Sequence, residues 1–386
     1  MISTFDAFAV VQGLLGARAF GRMAASRGGV SVARTAAVPP AGDTIAAIVP
    51  VLDEYERLDP CLEGLLAAPS ALAQIIVIDG GSTDGTQSLV RGYAARDARV
   101  RLVDASPVAA GWNGKAWNLA CGLAASDPDV PWILTIDADV RPNADLVHSL
   151  LAHARAHVLD AFSAAPLLRL SGPLEAAFHP AFLATLVYRF GLPGRVAHDI
   201  RAVQANGQCF LARRDALVRT EAFAHARTSR CDDVTIARTL VRAGLRVGFY
   251  EGAALANAQM YASAADAWRN WPRSLPLRDA STPAMQTLDD LATVLFVQAL
   301  PLAIVLALLV AGAPRDSLLF RINAALAFAR LGVLAGTHRA YGGVAPTYWL
   351  AALADVPCAL RLIAATYART ARWRGRTLVP EGTHSC

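Results

Sequence analysis

Hydrophobic residues in the first two-thirds of the chain alternate between short continuous runs and helical spacing. Residues 45–49 and 75–78 are apolar runs that end at Pro50 and Asp79, and residues 55–68 between them carry leucines at helical spacing. Short apolar runs bounded by turn residues are typical of buried strands, so the pattern predicts strand, helix, strand. Such units predict a mostly parallel α/β sheet, in which ligands bind beyond the carboxyl ends of the strands.

The pattern continues with a helix predicted over residues 84–95, a third strand over 99–103 and a fourth over 132–136. The fourth run is followed at once by Asp137-Ala138-Asp139. The sequence therefore places two carboxylates at the ligand-binding edge of the sheet.

A different hydrophobic pattern begins after residue 283. Residues 291–314 contain no charged side chain and are long enough to cross a bilayer. Residues 317–337 and 344–368 are interrupted by charges, so each predicts a helix packed in a bundle or lying at the membrane interface. These charges are Arg321, Arg330, Asp355 and Arg361. Basic residues close the chain, and the positive-inside tendency then predicts a cytoplasmic tail and an even number of crossings after residue 290.

The N-terminal residues 1–20 are apolar but free of charge only between Asp6 and Arg18, which leaves an N-terminal membrane anchor open. Residues 37–43 have the prolines and glycine of a linker. The sequence thus predicts four segments, which are an anchor and linker (1–43), an α/β catalytic domain (44–283), C-terminal transmembrane or membrane-associated helices (284–372) and a basic cytoplasmic tail (373–386).

Composition supports a membrane component, because 54% of the 386 residues are hydrophobic and only 17% are charged. A net charge of +5 from scattered arginines does not indicate nucleic-acid binding. The widely spaced cysteines form no C-x-x-C pair, which predicts free thiols in a reducing compartment. They are Cys61, Cys121, Cys209, Cys231, Cys358 and Cys386.

The Asp137 and Asp139 carboxylates leave a buried strand at alternate positions. Together they can share a hard divalent cation, Mg²⁺ or Mn²⁺, that also takes oxygen ligands from a diphosphate. The alternative is a solvated loop at the end of a strand. His153 and His157 have the i, i+4 spacing of a metal pair, but without a third ligand a solvent-exposed helical face explains them better.

Three segments in this order resemble family 2 glycosyltransferases of the GT-A fold. They are residues 48–54, residues 77–86 with the D-G-G-S-T-D-G-T sequence, and the D-x-D at 137–139. The resemblance covers roughly residues 44–280. It implies a nucleotide-diphospho-sugar transferase fold, a UDP-sugar donor and a divalent metal held by Asp137 and Asp139.

The resemblance also implies that the first two loops hold the nucleotide. The residues concerned are Pro50, Asp53, Glu54, Asp79, Gly80 and Ser82. Carboxylates at strand ends can accept hydrogen bonds from a base or ribose, and glycines allow a close backbone approach. The alternative for residues 79–82 is an ordinary turn with a helix cap at Ser82 or Thr83.

The segment 111–119 is similar to a Gly-Lys segment of the same family, which implies that Lys115 faces the donor phosphates. The resemblance also implies that Asp137 contacts the nucleotide sugar. Together with Trp112, the Gly-Lys segment looks closest to the branch that acts on carotenoids, hopanoids or related isoprenoid lipids. The alternative is a helix with a solvated lysine.

An inverting transfer needs a base for the acceptor hydroxyl. The resemblance nominates Asp233, with Asp232 where the family more often has Glu. The alternative is a helix N-cap, and both roles are compatible, because a helix N-terminus would position the carboxylate and lower its pKa. Residues 204–210 look like the acceptor-side strand and loop, where Gly207 permits a close approach.

The Q-x-x-R-W sequence of many processive family members is absent. The nearest segment is 268–273, which could bring Arg269 or Arg273 to the diphosphate with Trp271 as a platform for the acceptor. A basic aromatic helix on the membrane surface is the competing interpretation.

The sequence therefore predicts an inverting glycosyltransferase of the cytoplasmic membrane. The predicted acceptor is a hydroxylated membrane lipid such as a carotenoid or hopanoid. Two alternatives stay open, which are transfer to a polyprenyl phosphate and a non-catalytic membrane scaffold that binds nucleotide sugars.

Overall fold

The computed structural model describes residues 4–40, 42–68, 71–275, 277–278, 282–368, 372–373 and 376–377. Cys386 and most of the predicted basic tail lie outside these residues. The strands are β1 Ile45–Val51, β2 Leu72–Asp79, β3 Val100–Asp104, β4 Trp132–Ile136, β5 Val140–Pro142, β6 Ala161–Ala165, β7 Leu167–Leu168, β8 Arg195–Val196, β9 Cys209–Arg213, β10 Val247–Glu251, β11 Ala256–Ala258, β12 Arg372–Trp373 and β13 Arg376–Thr377.

The α-helices are α1 Thr4–Ala25, α2 Tyr55–Leu66, α3 Thr86–Ala94, α4 Gly114–Ala125, α5 Leu146–Ala156, α6 Pro173–Ala176, α7 His179–Phe190, α8 Arg214–Arg219, α9 Ala222–His225, α10 Asp232–Arg242, α11 Ala264–Asn270, α12 Ala284–Thr293, α13 Leu300–Val310, α14 Leu318–Thr337 and α15 Asp355–Tyr367. A π-helical segment, Val294–Ala299, joins α12 to α13. Short 3₁₀ segments are Ile200–Ala202, Trp271–Ser274, His338–Ala340 and Pro346–Ala354.

The main sheet has eight strands in the order β3-β2-β1-β4-β9-β6-β10-β8. The first four strands pair in parallel, which confirms the strands and helices predicted between residues 45 and 136. β9 is antiparallel to both β4 and β6, and its pairing brings Cys209 opposite Ile136. The beginning of β9 therefore lies beside the end of β4, where Asp137 emerges.

Both faces of the sheet are covered by apolar side chains. One face packs against α2 and α5, and the other against α4 and α10. Gly122 permits the close approach of α4 to the sheet, because a Cβ atom at this position would collide with Ile48. This tight packing holds the first turn of α4 against the carboxyl ends of β1 and β2.

One prediction for the helix after the D-x-D is wrong. His153 does not lie on a solvent-exposed face but is 6% exposed and packs against Tyr250 and Phe162. Burial, together with the neighbouring His157, lowers the pKa of His153 to about 4. His153 is thus a neutral core residue at physiological pH.

Three helical segments near the C-terminus are long and apolar enough to cross a membrane, and these are Ala284–Val310, Leu318–Ala340 and Pro346–Tyr367. The N-terminal helix α1 packs along α14, where a Cβ atom on Gly16 would collide with the Leu326 side chain. The buried amides of Gln12 and Asn323 hydrogen-bond to each other across this contact.

A buried ion pair joins the second and third of these segments. The Arg330 guanidinium donates to both carboxylate oxygens of Asp355 at 2.8 and 2.9 Å, and Gln298 Nε2 donates to the same carboxylate at 2.9 Å. Both charged side chains are at most 3% exposed. The pair therefore fixes how these two segments and the π-helical segment pack against one another.

We expect Asp355→Leu to destabilise the protein by about 3–5 kcal/mol, because it leaves the Arg330 charge buried without its partner. The double variant Arg330→Met/Asp355→Leu should regain most of this loss, since no charge then remains buried. The measurement is thermal unfolding in detergent of both single variants and the double variant. A double variant as unstable as the sum of the single variants would contradict this account.

Candidate active site

Lys115 links the two acidic motifs of the chain. Its Nζ lies 2.8 Å from Asp137 Oδ1 and 4.0 Å from Asp232 Oδ2. Asp137 follows β4, Asp232 begins α10, and Lys115 lies in the first turn of α4. The structure thus brings the predicted metal-binding and base motifs to one place, although they are far apart in the sequence.

The segment just before β9 holds Asp137 and Asp233 near each other. The Gly207 N–H donates to Asp233 Oδ2 at 2.9 Å, and the carbonyl of the next residue, Gln208, accepts from the Asp137 N–H at 3.2 Å. A Cβ atom on Gly207 would lie 3.0 Å from Lys115 Nζ and 3.5 Å from Asp233 Cβ. The predicted close approach at Gly207 is therefore present in the structure.

Burial and crowding of acids change the proton affinity of these groups. Burial and the neighbouring Asp232 raise the pKa of Asp233 to about 7, although Lys115 and backbone N–H groups oppose the shift. The N-terminus of α10 lowers this pKa through the Val234 N–H, as predicted, but burial and Asp232 outweigh this effect. Burial alone would lower the pKa of the Lys115 ammonium, but Asp137 and Asp232 outweigh it and raise that pKa.

Asp139 is the acid with the least satisfied charge. Its Oδ1 atom is buried and has no hydrogen-bond partner among the described residues. Burial, Asp137 and Glu54 raise the pKa of Asp139 to about 7, while Arg57 opposes the shift. A buried acceptor atom without a donor is costly. The environment of Asp139 Oδ1 therefore favours binding of a divalent cation from solution.

These acids line a cavity of about 480 Å³ at the carboxyl ends of the strands. Its acidic lining residues are Glu54, Asp137, Asp139, Asp232 and Asp266, and its basic ones are Arg57, Lys115, Arg230 and Arg273. Asp232 rather than Asp233 lines the cavity. A larger cavity of about 790 Å³, between α1, β8 and α12, contains none of these acids and is therefore not the candidate site.

The two predicted nucleotide loops are bonded to each other. The Asp53 N–H donates to Ser82 Oγ at 2.8 Å, and the Thr83 N–H donates back to Asp53 Oδ1 at 2.8 Å. The Glu54 N–H donates to Thr86 Oγ1 at 3.0 Å. Asp53 adopts φ = 52°, an uncommon conformation for a non-glycine residue that is concentrated at functional sites.

Asp79 and Gly80 are more deeply buried than expected for residues that contact a bound nucleotide directly. The Asp79 side chain is fully buried and accepts hydrogen bonds from Gly81, Ser82 and Gln87. A Cβ atom on Gly80 would lie 3.2 Å from the Asn118 amide. These contacts correspond to the turn alternative, but α3 is capped at Gly85 rather than at Ser82 or Thr83. Direct nucleotide contacts of Asp79 and Gly80 stay predictions.

The predicted Trp-Arg segment divides into two environments. Trp271 is only 4% exposed and stacks on His179, with ring centroids 3.6 Å apart, so its predicted role as an acceptor platform is wrong. The Arg269 side chain is exposed and bonds to the Ala265 carbonyl, and it does not line the cavity. Arg273 does line the cavity. Of this segment, therefore, Arg273 alone has the predicted position.

Several cavity residues were not predicted from the sequence, and Arg57, Arg230, Tyr261 and Asp266 are among them. Arg57 lies 3.7 Å from Glu54 Oε2, one helical turn into α2. Arg230 immediately precedes Cys231 and the acidic pair, and a basic residue beside two acids was the available signal. Tyr261 lies in a loop without a recognisable motif, so it could not be predicted from the sequence.

The donor set fits a divalent cation that completes its shell with phosphate oxygens. The described residues contain no group of three or more His, Cys, Asp or Glu side chains that could hold a metal alone. In phosphate-binding enzymes, Mg²⁺ is usually held by one or two carboxylates of the protein and by oxygens of the substrate phosphates. The unpartnered Asp139 Oδ1, next to Asp137, matches this kind of site.

A mixed sheet of this order, with acidic loops around one cavity at the ends of β1 and β4, is the α/β architecture of the GT-A fold. Residues 46–219 match the family described as Glycosyl transferase family 2. This match includes the acidic loops that follow β1 and β4.

Two curated relatives match parts of the chain. The lipopolysaccharide core biosynthesis glycosyltransferase LpsC of Rhizobium meliloti (strain 1021) is 32% identical over 97 residues, which is 25% of this chain and 32% of that protein. Glucosyl-3-phosphoglycerate synthase of Mycolicibacterium paratuberculosis (strain ATCC BAA-968 / K-10) is 32% identical over 133 residues, 33% of this chain and 39% of that protein. The chain thus matches less than two-fifths of either relative.

A solved structure shares the fold over nearly the whole chain. It is the mannosyltransferase PcManGT from Pyrobaculum calidifontis in complex with GDP-Man and Mn²⁺. The TM-score is 0.52 at 18% identity, and the likeness covers 93% of this chain and 97% of that one. At this identity the likeness establishes the GT-A fold.

Proposed function

We propose that this protein is an inverting, metal-dependent glycosyltransferase that moves a sugar from a UDP-sugar to a hydroxylated membrane lipid. The observation that carries the proposal is the convergence of Asp137, Asp139, Lys115 and Asp232 around one cavity at the ends of the strands. Nucleotides bind at this edge of α/β sheets, and a mannosyltransferase of the same fold holds GDP-Man and Mn²⁺.

The residues that line the cavity, and Asp233 next to the lining residue Asp232, have distinct roles in this mechanism. Asp137 and Asp139 would hold the divalent ion, which when bound supplies positive charge to the departing diphosphate. Asp233 accepts the proton of the acceptor hydroxyl as that oxygen attacks the anomeric carbon. The Gly207 and Val234 N–H groups fix the Asp233 carboxylate by hydrogen bonds to its two oxygens. Lys115 and Arg273 provide cationic contacts for the diphosphate.

A membrane lipid as acceptor is supported by the contact between the cavity and the C-terminal helices. Arg230, on the cavity wall, donates to the carbonyls of Ala365 and Ala368 at the end of α15. An apolar segment that could reach a membrane therefore ends beside the cavity. An acceptor held in a bilayer would reach the sugar at this point.

Within this class, a carotenoid, hopanoid or related isoprenoid alcohol is the acceptor that the Gly-Lys segment with Trp112 favours. A polyprenyl phosphate is the second candidate, because Arg230 and Arg273 place two cations on the same cavity wall. The two acceptors differ in their need for a base, since a phosphate is already an anion.

Lipid mass spectrometry of cells with and without the intact gene tests the proposal. We expect a glycosylated lipid that disappears without the gene and returns when the gene is supplied on a plasmid. Purified protein should form the same product from the lipid fraction of the deletion strain, and UDP- and GDP-sugars are compared as donors. An unchanged lipid profile, together with no sugar transfer by purified protein, would contradict it.

A further inference from the structure

The third apolar segment, Pro346–Tyr367, is attached to the α/β domain at both of its ends. At its beginning, Thr347 Oγ1 donates to the Pro173 carbonyl at 2.6 Å. At its end, Arg230 donates to Ala365 and Ala368, and the Leu277 N–H donates to Thr366 Oγ1 at 3.0 Å. A helix that crosses a bilayer must place its two ends on opposite sides. These contacts place both ends on the side of the catalytic domain.

The same segment exposes one continuous uncharged stripe. Leu350 and Leu353 are 53% and 62% exposed and lie in line at the i, i+3 spacing of the 3₁₀ part. Leu360 and Tyr367 are 60% and 51% exposed and lie in line on α15, and Trp349, beside Leu350, is 49% exposed. Pro357 and Ala364 continue the stripe between them. Apolar surface of this extent on one helix indicates contact with lipid or another protein. Trp and Tyr near the two ends favour lipid, because both are enriched at the head-group level.

The opposite stripe of the segment is buried against protein. It contains Tyr348, Ala351, Asp355, Cys358 and Leu362, none more than 1% exposed. Cys358 Sγ donates to the Phe178 carbonyl of the α/β domain at 3.7 Å. The α/β domain, α14 and the π-helical segment together cover this side of the third segment, and lipid is left for the other side.

The two preceding apolar segments, Ala284–Val310 and Leu318–Ala340, are each attached to the α/β domain at one end. Gln286 Nε2 at the beginning of α12 donates to the Arg201 carbonyl, and the Gly342 N–H beyond α14 donates to the Leu168 carbonyl. The chain therefore leaves the α/β domain at α12 and returns to it after α14. Leu306, Leu309, Val310 and Phe328 on α13 and α14 are exposed. A hairpin that starts and ends at the domain crosses a bilayer twice.

We infer that Pro346–Tyr367 lies within one leaflet, with its Trp349-to-Tyr367 stripe against lipid, and that the segments Ala284–Val310 and Leu318–Ala340 provide two crossings. The segment of 22 residues, about 37 Å long with its 3₁₀ and α-helical parts, is long enough to cross but extends along the membrane surface instead. The chain beyond residue 368 then leaves on the catalytic side. This agrees with the even number of crossings that the basic tail predicts.

Site-directed labelling in sealed vesicles of both orientations tests the inference. The full-length chain, with Cys121→Ser and Cys386→Ser and a protease-cleavable C-terminal tag, carries one new cysteine per variant. We expect an impermeant maleimide to label Arg219→Cys, on the catalytic domain, and Arg339→Cys from one side. Asp316→Cys, in the turn between α13 and α14, should react from the other. Protease should remove the C-terminal tag when it is added on the side of the membrane where Arg219→Cys is labelled. Removal of the tag from the side where Asp316→Cys is labelled would overturn the inference.

Depth measurements provide a second, independent test. Spin labels on Leu353→Cys and Leu306→Cys are compared in phosphatidylcholine/phosphatidylglycerol vesicles for collisions with oxygen and with a water-soluble nickel complex. Both native side chains are exposed, so the variants should fold. We expect the label at position 353 to lie in the hydrocarbon but nearer the surface than the label at position 306. The inference would be overturned if the labels at positions 353 and 306 lay at the same depth. It would also be overturned if the label at position 353 collided with the nickel complex as often as a label on Arg219→Cys.

Discussion

Replacing Asp139 with alanine is expected to lower kcat/KM for sugar transfer on the order of 10³-fold, about 4 kcal/mol in transition-state stabilisation. The physical reason is the loss of a carboxylate whose buried Oδ1 has no other partner among the described residues. Without it, the divalent ion that offsets the charge of the departing diphosphate binds poorly. Initial rates measured over a range of Mn²⁺ and Mg²⁺ concentrations check this expectation.

The matched control is Asp129→Ala, which removes an exposed carboxylate from a turn outside the cavity and should leave the rate unchanged. Calorimetry with the nucleotide diphosphate separates the two possible causes of a loss. Asp139→Ala should lose the part of nucleotide affinity that depends on metal and retain the part that does not. Full activity of Asp139→Ala would end the metal-site proposal.

Asp233→Asn is expected to lower kcat by about 10²–10⁴-fold, the usual contribution of a positioned general base. The amide keeps the shape of the side chain but cannot accept the acceptor proton. The control is Asp215→Asn on α8, where the side chain is 67% exposed. Nearly full activity of Asp233→Asn would instead favour a polyprenyl phosphate acceptor, which needs no base.

The pH profile of kcat/KM provides a further check on the same residue. Because burial and Asp232 raise the pKa of Asp233 to about 7, the carboxylate is protonated and inactive below this pH. Activity should therefore rise as the pH passes through about 7. Asp232→Asn should move this rise to lower pH, since the neighbouring negative charge is gone. If Asp232→Asn alone removes activity, Asp232, which lines the cavity, is the base instead.

β1, β2 and β4 could be predicted from the sequence because each contains an apolar run ended by turn residues or acids, and β3 because valine and leucine surround Arg101 in a short run before Asp104. The 132–136 prediction has the same bounds as β4, because Pro131 and Asp137 limit the apolar run on both sides. The antiparallel direction of β9 could not be predicted. Strand direction depends on the path of the connecting chain, and residues 140–208 alternate between short strands and helices without one clear period.

The acids and Lys115 of the site were predicted because they belong to contiguous motifs at strand and helix ends. Burial was harder to predict, since Trp271 and His153 are polar-aromatic side chains that suit a surface or a core equally well. The burial of Trp271 is decided by its stacking on His179, and that of His153 by its packing against Phe162 and Tyr250. Arg57 and Arg230 join the cavity through the fold, because no motif in the sequence includes them.

In the membrane placement that we infer, and with the lipid acceptor that we propose, the bonds from Arg230 to the end of α15 would set the height of the reaction centre above the lipid. Since Asp232 and Asp233 follow Arg230 after a single residue, any displacement of α15 is transmitted to the start of α10. An acceptor is then selected by geometry as much as by chemistry. An alcohol anchored at the leaflet surface lies within reach of the sugar, whereas a hydroxyl carried far into the water on a long glycan does not.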